Sequence, residues 1–298
     1  MSRRFSFVAL GDIPYETADH ARFASLIERI NRLAPECSVH VGDIKKAKSK
    51  CGMRRYRAAL AHFETFQSPP IYTPGDNDWA DCGKKRAGGF DPLERLGRLR
   101  QTFFPSDRSL GGTPMTVDRQ ADGPSHPDMV ENARWQVDDT LFLTVHITGD
   151  NNNRGRGQKT DREYRSRDGA NLEWIDTGFE TAIKSGLDGL VIFTHANLWV
   201  ERDRRPKSRF RDSDQQQGFR KTIKAIRRGA KAFGRPVLIV HGDKHRLVVD
   251  QPLTVAKESE MRQENVIRLQ VMGAEQVDAV VVTVDPSTRS LFSIRTLL

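Results

Sequence analysis

Apolar and polar residues alternate along this chain in blocks that predict strands and helices in turn. Short apolar runs at 4–10, 38–41 and 70–74 indicate strands, and each is followed directly by Gly-Asp. Between these runs, residues 18–34 carry apolar side chains at helical spacing, and 53–67 also predicts a helix. Because strands that alternate with helices are typical of βαβ units, a parallel α/β sheet is expected.

The second half continues this pattern with longer polar stretches between its elements. Residues 105–128 are rich in Pro, Gly, Ser and Asp and predict a loop, and 132–147 predicts a β-hairpin that turns at Asp138-Asp139. The other predicted elements are polar loops at 148–158 and 201–214, helices at 171–186 and 217–233, and strands at 189–194, 236–240, 266–271, 279–286 and 290–297. No repeat or long linker divides the chain, so we expect one domain over residues 1–298.

Composition indicates the class of protein and the sign of its net charge. A hydrophobic content of 37%, a charged content of 29% and a net charge of +9 describe a globular protein that favours anionic partners. No apolar stretch approaches the roughly 18–20 residues that cross a bilayer. The apolar run after Arg3 and Arg4 is too short for a secretory leader. A cytoplasmic location is therefore expected, or a periplasmic or secreted one if the sequence lacks its leader.

The chain has three cysteines, Cys37, Cys51 and Cys82, and this odd, low count implies no disulfide framework. Cys51 and Cys82 each follow a Gly-Asp segment at a short distance. A disulfide between them and two free thiols are both compatible with the sequence.

Carboxylate and imidazole side chains stand at the ends of five predicted strands. They are Asp12, Asp43, Asp76 and Asp78 with Asn77 between them, His195, and the group His241, Asp243 and His245. Any one of them alone is more typical of a turn or a hydrogen-bonded structural residue. Because ligand sites of α/β sheets lie beyond the carboxyl ends of the strands, we expect the five ends to converge. Crowded aspartates repel one another without a cation, so the sequence predicts a metal site.

The order and spacing of these residues resemble the calcineurin-like metallophosphoesterases, whose pattern is D-x-H, G-D-x-x-D, G-N-H-[DE], a lone His and G-H-x-H. The resemblance runs from Asp12 to His245 and is that of a divergent member. It implies an α/β fold: a four-layer αββα sandwich of two mixed sheets flanked by helices, with the metal site at the strand C-terminal ends. The metal ligands that it implies are Asp12, Asp43, Asp76, His195, Asp243 and His245.

The same resemblance implies one or two divalent metal ions per chain, held as a dinuclear centre. Asp43 would bridge the two ions, Asp12 and His245 would hold one, and the remaining ligands would hold the other. Oxygen and nitrogen ligands suit Mn, Fe, Zn or Mg. Carboxylates at positions 76 and 243 replace neutral family ligands, which favours harder ions such as Mn or Mg over Zn.

Several positions depart from the family pattern. Pro14 replaces the histidine of the first motif, which weakens one metal site, and Tyr15 is a candidate replacement ligand one residue further on. Lys46 replaces the last aspartate of the second motif. Asn77 occupies the place of the catalytic histidine and can donate a hydrogen bond but not a proton. His241 is the nearest candidate for a general acid, or else a packed residue at the strand end.

The resemblance implies a hydrolase that cleaves a phosphomonoester or phosphodiester by a metal-activated hydroxide. Its expected partner is a phosphorylated small molecule or nucleotide. Arg154 and Arg156, in the Arg-rich segment 148–167, would bind substrate phosphate, although such a segment is also typical of a solvated surface. Two alternatives remain. One is a catalytically degenerate protein that binds metal or phosphate, and the other is a phosphodiesterase acting on nucleic acid, for which no recognised motif appears.

Overall fold

Two mixed β-sheets form the centre of the molecule in a computed structural model, which describes residues 3–199, 217–253 and 263–298. The strands are β1 Phe5–Leu10, β2 Ser38–His40, β3 Pro70–Tyr72, β4 Asp118–Arg119, β5 Ala133–Val137, β6 Thr140–Thr144, β7 Gly189–Phe193, β8 Val237–His241, β9 Val248–Asp250, β10 Val266–Gln270, β11 Val280–Val284 and β12 Phe292–Thr296.

The first sheet has the strand order β12-β11-β1-β2-β3, and the second has the order β4-β5-β6-β7-β8-β10-β9. Strands β1, β2 and β3 are parallel neighbours, as are β6, β7, β8 and β10. Antiparallel strands form one side of the first sheet, at β11 and β12, and both sides of the second. The parallel strands therefore bring their carboxyl ends to one edge of each sheet.

Helices cover the outer face of each sheet. They are α1 Asp19–Leu33, α2 Met53–Phe63, α3 Pro92–Phe103, α4 Gln158–Lys184 and α5 Arg220–Phe233. The first three pack on the first sheet, and α4 and α5 pack on the second. The four layers are thus helix, sheet, sheet and helix, which confirms the expected αββα architecture.

The interface between the sheets is rich in aromatic rings. Phe7 meets Phe142 and Phe193 edge-on, with ring centroids 5.3 and 5.7 Å apart, and Trp135 stacks on both of those phenylalanines. Along β1, Phe7 faces this interface while its neighbour Val8 faces the helices, so the strand is buried on both sides. Each buried phenylalanine stabilises the fold by about 1.5–3 kcal/mol, which fixes the sheets against each other.

Most predicted strands and helices are confirmed, and the differences lie in polar segments. Helix α3 was not predicted, and α4 begins at Gln158, so the Arg-rich residues after it are helical and not a loop. Strand β4 lies inside the predicted loop 105–128. The loop predicted at 201–214 lies outside the described residues. No helix among the described residues is both long and apolar enough to span a membrane.

Cys51 and Cys82 form a disulfide, with their Cα atoms 5.7 Å apart, and Cys37 is buried and free. The bond joins the segment before α2 to the segment after β3. It therefore fixes two of the loops that carry the chemistry described below.

Candidate metal centre

The loops after β1, β2, β3, β7 and β8 meet at one place, where the edges of the two sheets come together. The backbone N–H of Asp12 donates to the carbonyl of Gly42 at 2.9 Å, which joins the first two loops. The N–H of Gly242 donates to the carbonyl of His195 at 3.1 Å, which joins the last two. The predicted convergence of the strand ends is therefore observed.

Two groups of side chains have the composition of metal sites. Ligand atoms of Asp12, Asp43 and His195 lie within 4.8 Å of one another, and so do those of Asp76, His195 and Asp243. His245 joins the first group, because its Nε2 lies 3.3 Å from Oδ1 of Asp12. All six predicted ligands are thus brought together in one cluster, which we call the ligand cluster.

His195 links the two sheets and presents one ring nitrogen to the cluster. Its Nδ1 lies 2.8 Å from the carbonyl oxygen of Val41, so this nitrogen carries the proton and donates it. The other nitrogen, Nε2, lies 3.1 Å from Oδ1 of Asp76 and 3.5 Å from Oδ1 of Asp43. A backbone acceptor on one nitrogen, with the other directed at neighbouring carboxylates, is the usual arrangement of a metal-ligating histidine.

Four members of the cluster have left-handed backbone conformations, which are uncommon for residues other than glycine. The φ angles are 57° at Asp12, 58° at Asp43, 74° at Asp243 and 56° at His245. Such conformations cost on the order of 1–3 kcal/mol each and concentrate at functional sites. Here they turn the side chains of three strand-end loops, those after β1, β2 and β8, toward one point.

The glycines beside these ligands allow the loops to approach closely. A Cβ on Gly75 would lie 2.1 Å from Oδ1 of Asp43, and one on Gly242 would lie 2.2 Å from Oδ2 of Asp12. Any side chain at either position would displace a carboxylate of the cluster. The repeated Gly-Asp signal in the sequence therefore reflects a packing requirement of the site.

Asp78 is a structural member of the group of strand-end aspartates. Its Oδ2 accepts hydrogen bonds from the backbone N–H of Asp43 and of Gly75, both at 2.8 Å, and from the hydroxyl of Tyr72 at 2.7 Å. Its Oδ1 accepts from the N–H of Ile44 at 2.9 Å. Since four donors occupy this buried carboxylate, Asp78 fixes the loops after β2 and β3 to each other.

Tyr15 lies at the centre of the first group, next to the position where the family pattern has a histidine. Its hydroxyl lies 3.3 Å from Oδ1 of Asp12, 3.0 Å from Oδ2 of Asp43 and 3.2 Å from Nε2 of His245. Burial, followed by the charges of Asp43 and Asp12, raises the pKa of the phenol far above its ordinary value. A cation would oppose these effects, because it stabilises the phenolate.

Asn77 donates hydrogen bonds directly to the carboxylate of Asp43. Its backbone N–H donates to Oδ1 of Asp43 at 3.0 Å, and its side-chain Nδ2 donates to Oδ2 of the same carboxylate. The Nδ2 also lies 3.4 Å from the hydroxyl of Tyr15. Asn77 thus lies beside the ligand cluster, at the position where the motif that the sequence resembles has a catalytic histidine. It presents a neutral hydrogen-bond donor there.

Closely spaced carboxylates dominate the electrostatics of the ligand cluster. Burial, and then the charges of Asp76, Asp78 and Asp12, raise the pKa of Asp43 well above its ordinary value, although His195 opposes this. Burial also raises the pKa of Asp243. Buried carboxylates of this kind are costly unless cations compensate them, so the residues present fit divalent metal ions.

His195 itself has to offset much of this negative charge. Burial lowers its pKa, but Asp43, Asp76 and Asp12 outweigh burial and raise the pKa well above the ordinary value. Burial raises the pKa of Asp76, but the hydrogen bond and charge of His195, together with the charges of Arg156 and Lys84, lower it to about 2. The carboxylates of Asp43, Asp76 and Asp12 therefore favour the protonated form of the His195 imidazole.

A third acidic group, formed by Asp76, Asp81 and Asp150, has its own counterions. Arg156 pairs with Asp81 at 3.1 Å and with Asp150 at 2.6 Å, and Lys84 also binds Asp81 at 2.5 Å. The predicted substrate residue Arg156 is therefore engaged in ion pairs near Asp76. The other one, Arg154, binds the side chain of Gln217.

His241 is fully buried at the end of β8. Its Nδ1 lies 3.0 Å from the carbonyl oxygen of Gly242, and its Nε2 has no hydrogen-bond partner among the described residues. Burial lowers the pKa of His241 to about 3, so the ring is neutral at neutral pH. Of the two interpretations left open by the sequence, this geometry favours the packed strand-end residue.

A buried polar network behind the cluster escaped the sequence prediction. Trp79 donates from Nε1 to Nε2 of His146 at 3.0 Å, and Nδ1 of His146 lies 2.6 Å from Oε1 of Glu131. Arg100 completes the network by binding Glu131 at 2.7 and 3.0 Å. The network positions Trp79, which directly follows the Asp76–Asp78 segment. The other members of the network, Arg100, Glu131 and His146, lie on segments of the sequence that carry no recognisable motif.

Solved structures of phosphatases share this fold. The chain is similar to a dimetal phosphatase from Danio rerio, at a TM-score of 0.56 and 11% identity over 98% of both chains. It is also similar to PhoD, at a TM-score of 0.61 and 13% identity over 98% of this chain and 68% of PhoD. A third is the purple acid phosphatase PPD1 from seeds of yellow lupin (Lupinus luteus), at 0.51 and 11%, over 100% of this chain and 52% of that one.

These likenesses establish that the chain has the metallophosphoesterase fold. No family model and no curated protein matches the sequence. Identities of 11–13% carry no information on substrate or reaction, so the function is argued from the site.

Proposed function

We propose that this protein is a metal-dependent phosphoesterase whose site is the ligand cluster. The observation that supports this most is the convergence of three buried carboxylates, the half-buried carboxylate of Asp243 and two imidazoles from five strand ends on one point. The fold is that of known phosphatases, and a cluster of this composition fits a pair of divalent cations. Asp43, which lies near both His195 and Tyr15, would be shared between the two ions.

In the proposed mechanism, divalent cations held by the ligand cluster would supply a bound water with a pKa lowered to about 7 and would neutralise charge on the phosphoryl group. Asp12, Asp43 and His245, together with Tyr15, would hold one cation, and Asp76, His195 and Asp243 the other. The Nδ2 of Asn77 projects beside Asp43 and would donate a hydrogen bond to a phosphoryl oxygen. Because an amide supplies no proton, substrates with good leaving groups would react fastest.

A cleft of about 460 Å³ beside the ligand cluster provides room for a substrate. Tyr15, Asn77 and His245 form its inner wall, and Lys46 and Glu16 form part of its rim. Lys46 stands where the second motif of the resembled family has an aspartate. It pairs with Glu16 on the rim of this cleft. The position of the cleft supports access of a phosphoester to the first group of ligands.

Turnover of p-nitrophenyl phosphate and bis-p-nitrophenyl phosphate, with Mn added, tests this function. We expect hydrolysis by the wild-type protein and a loss of about 10³-fold or more in Asp43→Asn, because the shared ligand would be weakened. Elemental analysis should find metal in the wild type and less in the variant. Asp176→Asn, which alters an aspartate on α4 that pairs with Arg228, is the matched control and should retain both.

The outcomes separate the proposed enzyme from a protein that only binds. Activity that survives Asp43→Asn would exclude the metal mechanism. Bound metal without hydrolysis of either substrate would favour the degenerate alternative, in which Asn77 replaces a catalytic acid and leaves binding intact.

A further inference from the structure

A second cleft, of about 540 Å³, adjoins the cleft over the ligand cluster and is lined by cations. Its wall includes Thr17, His20, Lys50, Gly52, Arg54 and Arg55, and we call it the basic cleft. Among the described residues, none of those that line it carries a carboxylate, whereas the neighbouring cleft contains Glu16, Asp19 and Glu275. The sequence shows the same bias, since residues 45–57 hold seven Lys and Arg and no Asp or Glu.

The positive charges of the basic cleft are not neutralised by carboxylates within the described part of the chain. Lys50, Arg54 and Arg55 form no ion pair with any carboxylate in the described part of the chain, although nearby Lys46 and Arg22 are both paired. After burial, the charge of Arg55 is the next cause that lowers the pKa of His20. Mutual repulsion among neighbouring cations destabilises a fold, which indicates that the basic cleft has a role in binding an anion.

The start of α2 adds to the positive potential. Gly52 precedes the helix without a side-chain cap, and no acidic residue lies in the first turn, which instead contains Arg54 and Arg55. Helix α3 shows the opposite arrangement, with a capping Asp91 and Glu94 in its first turn. Cations at the positive end of a helix dipole are unfavourable, and an anion between them would remove that cost.

The basic cleft is fixed to the loop that carries Asp76 and Asn77. Cys51, which lies between Lys50 and Gly52, is bonded to Cys82 on that loop. The hydroxyl of Tyr56, on α2, donates to the carbonyl of Asp78 at 2.6 Å. The two clefts also share the segment after Tyr15, where Glu16 and Asp19 line one and Thr17 and His20 line the other. An anion in the basic cleft is therefore held in a set position relative to the ligand cluster.

We propose that the basic cleft binds a second phosphate group of the substrate, while the phosphoester to be cleaved lies at the ligand cluster. This inference rests on the proposed function and names a substrate class for it: compounds that carry at least two phosphate groups. A nucleoside bisphosphate and the backbone of a single-stranded nucleic acid share that chemistry. Arginine and lysine provide the charge-assisted hydrogen bonds that phosphate requires.

Steady-state kinetics on the Mn-loaded full chain test the assignment with three substrates. They are p-nitrophenyl phosphate, a nucleoside 3′,5′-bisphosphate and a single-stranded oligodeoxynucleotide. The variant is Lys50→Gln/Arg54→Gln, which removes two exposed charges from the basic cleft. The matched control is Arg57→Gln, which removes an exposed charge from the same helix but outside the cleft.

The expected result is a selective loss. In the double variant, kcat/KM should fall ~10-fold or more for a substrate with a second phosphate, chiefly through KM, and stay within about twofold for p-nitrophenyl phosphate. A loss with the bisphosphate alone identifies a small substrate, and a loss with the oligonucleotide alone identifies a nucleic-acid backbone. An equal loss with all three substrates, or none with any, overturns the proposal, as does the same loss in Arg57→Gln.

Binding separates this proposal from the proposed function. The Kd of the bisphosphate and of a fluorescently labelled oligonucleotide is measured on the Mn-loaded wild type and both variants. If nothing is hydrolysed, the proposed function fails, yet a Kd that is weakened ~10-fold only in the double variant still supports the basic cleft. Equal Kd values in the three proteins, or no binding of either probe, overturn it.

Discussion

Tyr15 is the residue in which the site departs furthest from the pattern that the sequence resembles. Pro14 removes the expected imidazole, yet the hydroxyl of Tyr15 reaches Asp12, Asp43 and His245 at 3.0–3.3 Å. The hydroxyl therefore lies beside three of the residues that are proposed to hold the first cation. The tyrosine also packs edge-on against His245, with ring centroids 5.4 Å apart.

Replacing Tyr15 with phenylalanine separates these two roles. Tyr15→Phe keeps the ring and its packing but removes the oxygen, so we expect an unchanged fold and a Mn affinity about 10–100-fold weaker, the usual effect of losing a group that contacts metal ligands. Calorimetric titration of Mn measures the affinity, and circular dichroism monitors the fold. Tyr164→Phe, at another buried tyrosine, is the control. Equal Mn affinities in Tyr15→Phe and the wild type would show that the hydroxyl has no part in metal binding.

The sequence predicted which residues converge better than it predicted what each one does. Strand ends converge for reasons of topology, so Asp12, Asp43 and His195 could be placed from the apolar runs before them. Roles depend on contacts between distant segments, which no local pattern records. Asp78 has the same sequence context as Asp76 but is satisfied by four protein donors, and this distinction exists only in three dimensions.

At the scale of elements, the apolar pattern found buried strands and missed helices whose buried face is polar. The first turns of α4 bury Tyr164, Arg167 and Asp168, and burial of charged side chains leaves no apolar period to detect. Helix α3 is a different case. Its Leu96, Leu99 and Phe103 have helical spacing, and Asp91 and Pro92 provide a clear start, so the information was present in the sequence.

The network of Arg100, Glu131 and His146 links α3 to the second sheet and should make stability sensitive to acid. Burial alone would raise the pKa of Glu131, but Arg100 and then His146 lower it to about 2. Because the folded pKa lies below the unfolded one, this stability is fully present above pH ~4.5 and is lost as pH falls toward 2. The contribution is on the order of 3 kcal/mol.

Urea unfolding followed by tryptophan fluorescence, between pH 3 and 7, checks this prediction. We expect Glu131→Gln to be less stable than the wild type at pH 7, because Arg100 loses its buried counterion. The difference should shrink as the pH falls below ~4.5, where the wild type loses the same interaction. A difference that stays constant over this range would show that the Glu131 charge does not contribute to stability.

At the scale of the whole molecule, the fold places its least favourable electrostatics where two sheets and five loops join. Asp12, Asp43, Asp76 and Asp243 are gathered there, with left-handed backbone at three of them. Two large apolar layers and the interface between the sheets stabilise the arrangement. Such a division, with stability in the layers and unfavourable charge at the strand ends, is what a metal site requires of its scaffold.

This division predicts that one substitution has opposite effects in the presence and absence of metal. Asp243→Asn removes one charge from the cluster, and asparagine tolerates the left-handed φ of 74° at this position. In a chelator, the variant should be at least as stable as the wild type, because burial of the Asp243 charge, with repulsion from Asp76 and Asp12, outweighs its attraction to Lys244 and His195 and raises its pKa. With Mn added, the wild type should gain more stability than the variant, because tighter binding to the folded state stabilises it by RT ln(1 + [Mn]/Kd).

Thermal unfolding of the wild type and of Asp243→Asn is measured in EDTA and over a series of Mn concentrations. Plotting Tm against Mn concentration shows whether the curves of the two proteins cross. Asp176→Asn should follow the wild type throughout, since its carboxylate pairs with Arg228 on the surface. If Asp243→Asn is less stable than the wild type by the same margin in EDTA and in Mn, Asp243 acts only through local structure and holds no metal. If the curves cross, the carboxylate of Asp243 contributes to binding the cation at the expense of the stability of the metal-free fold.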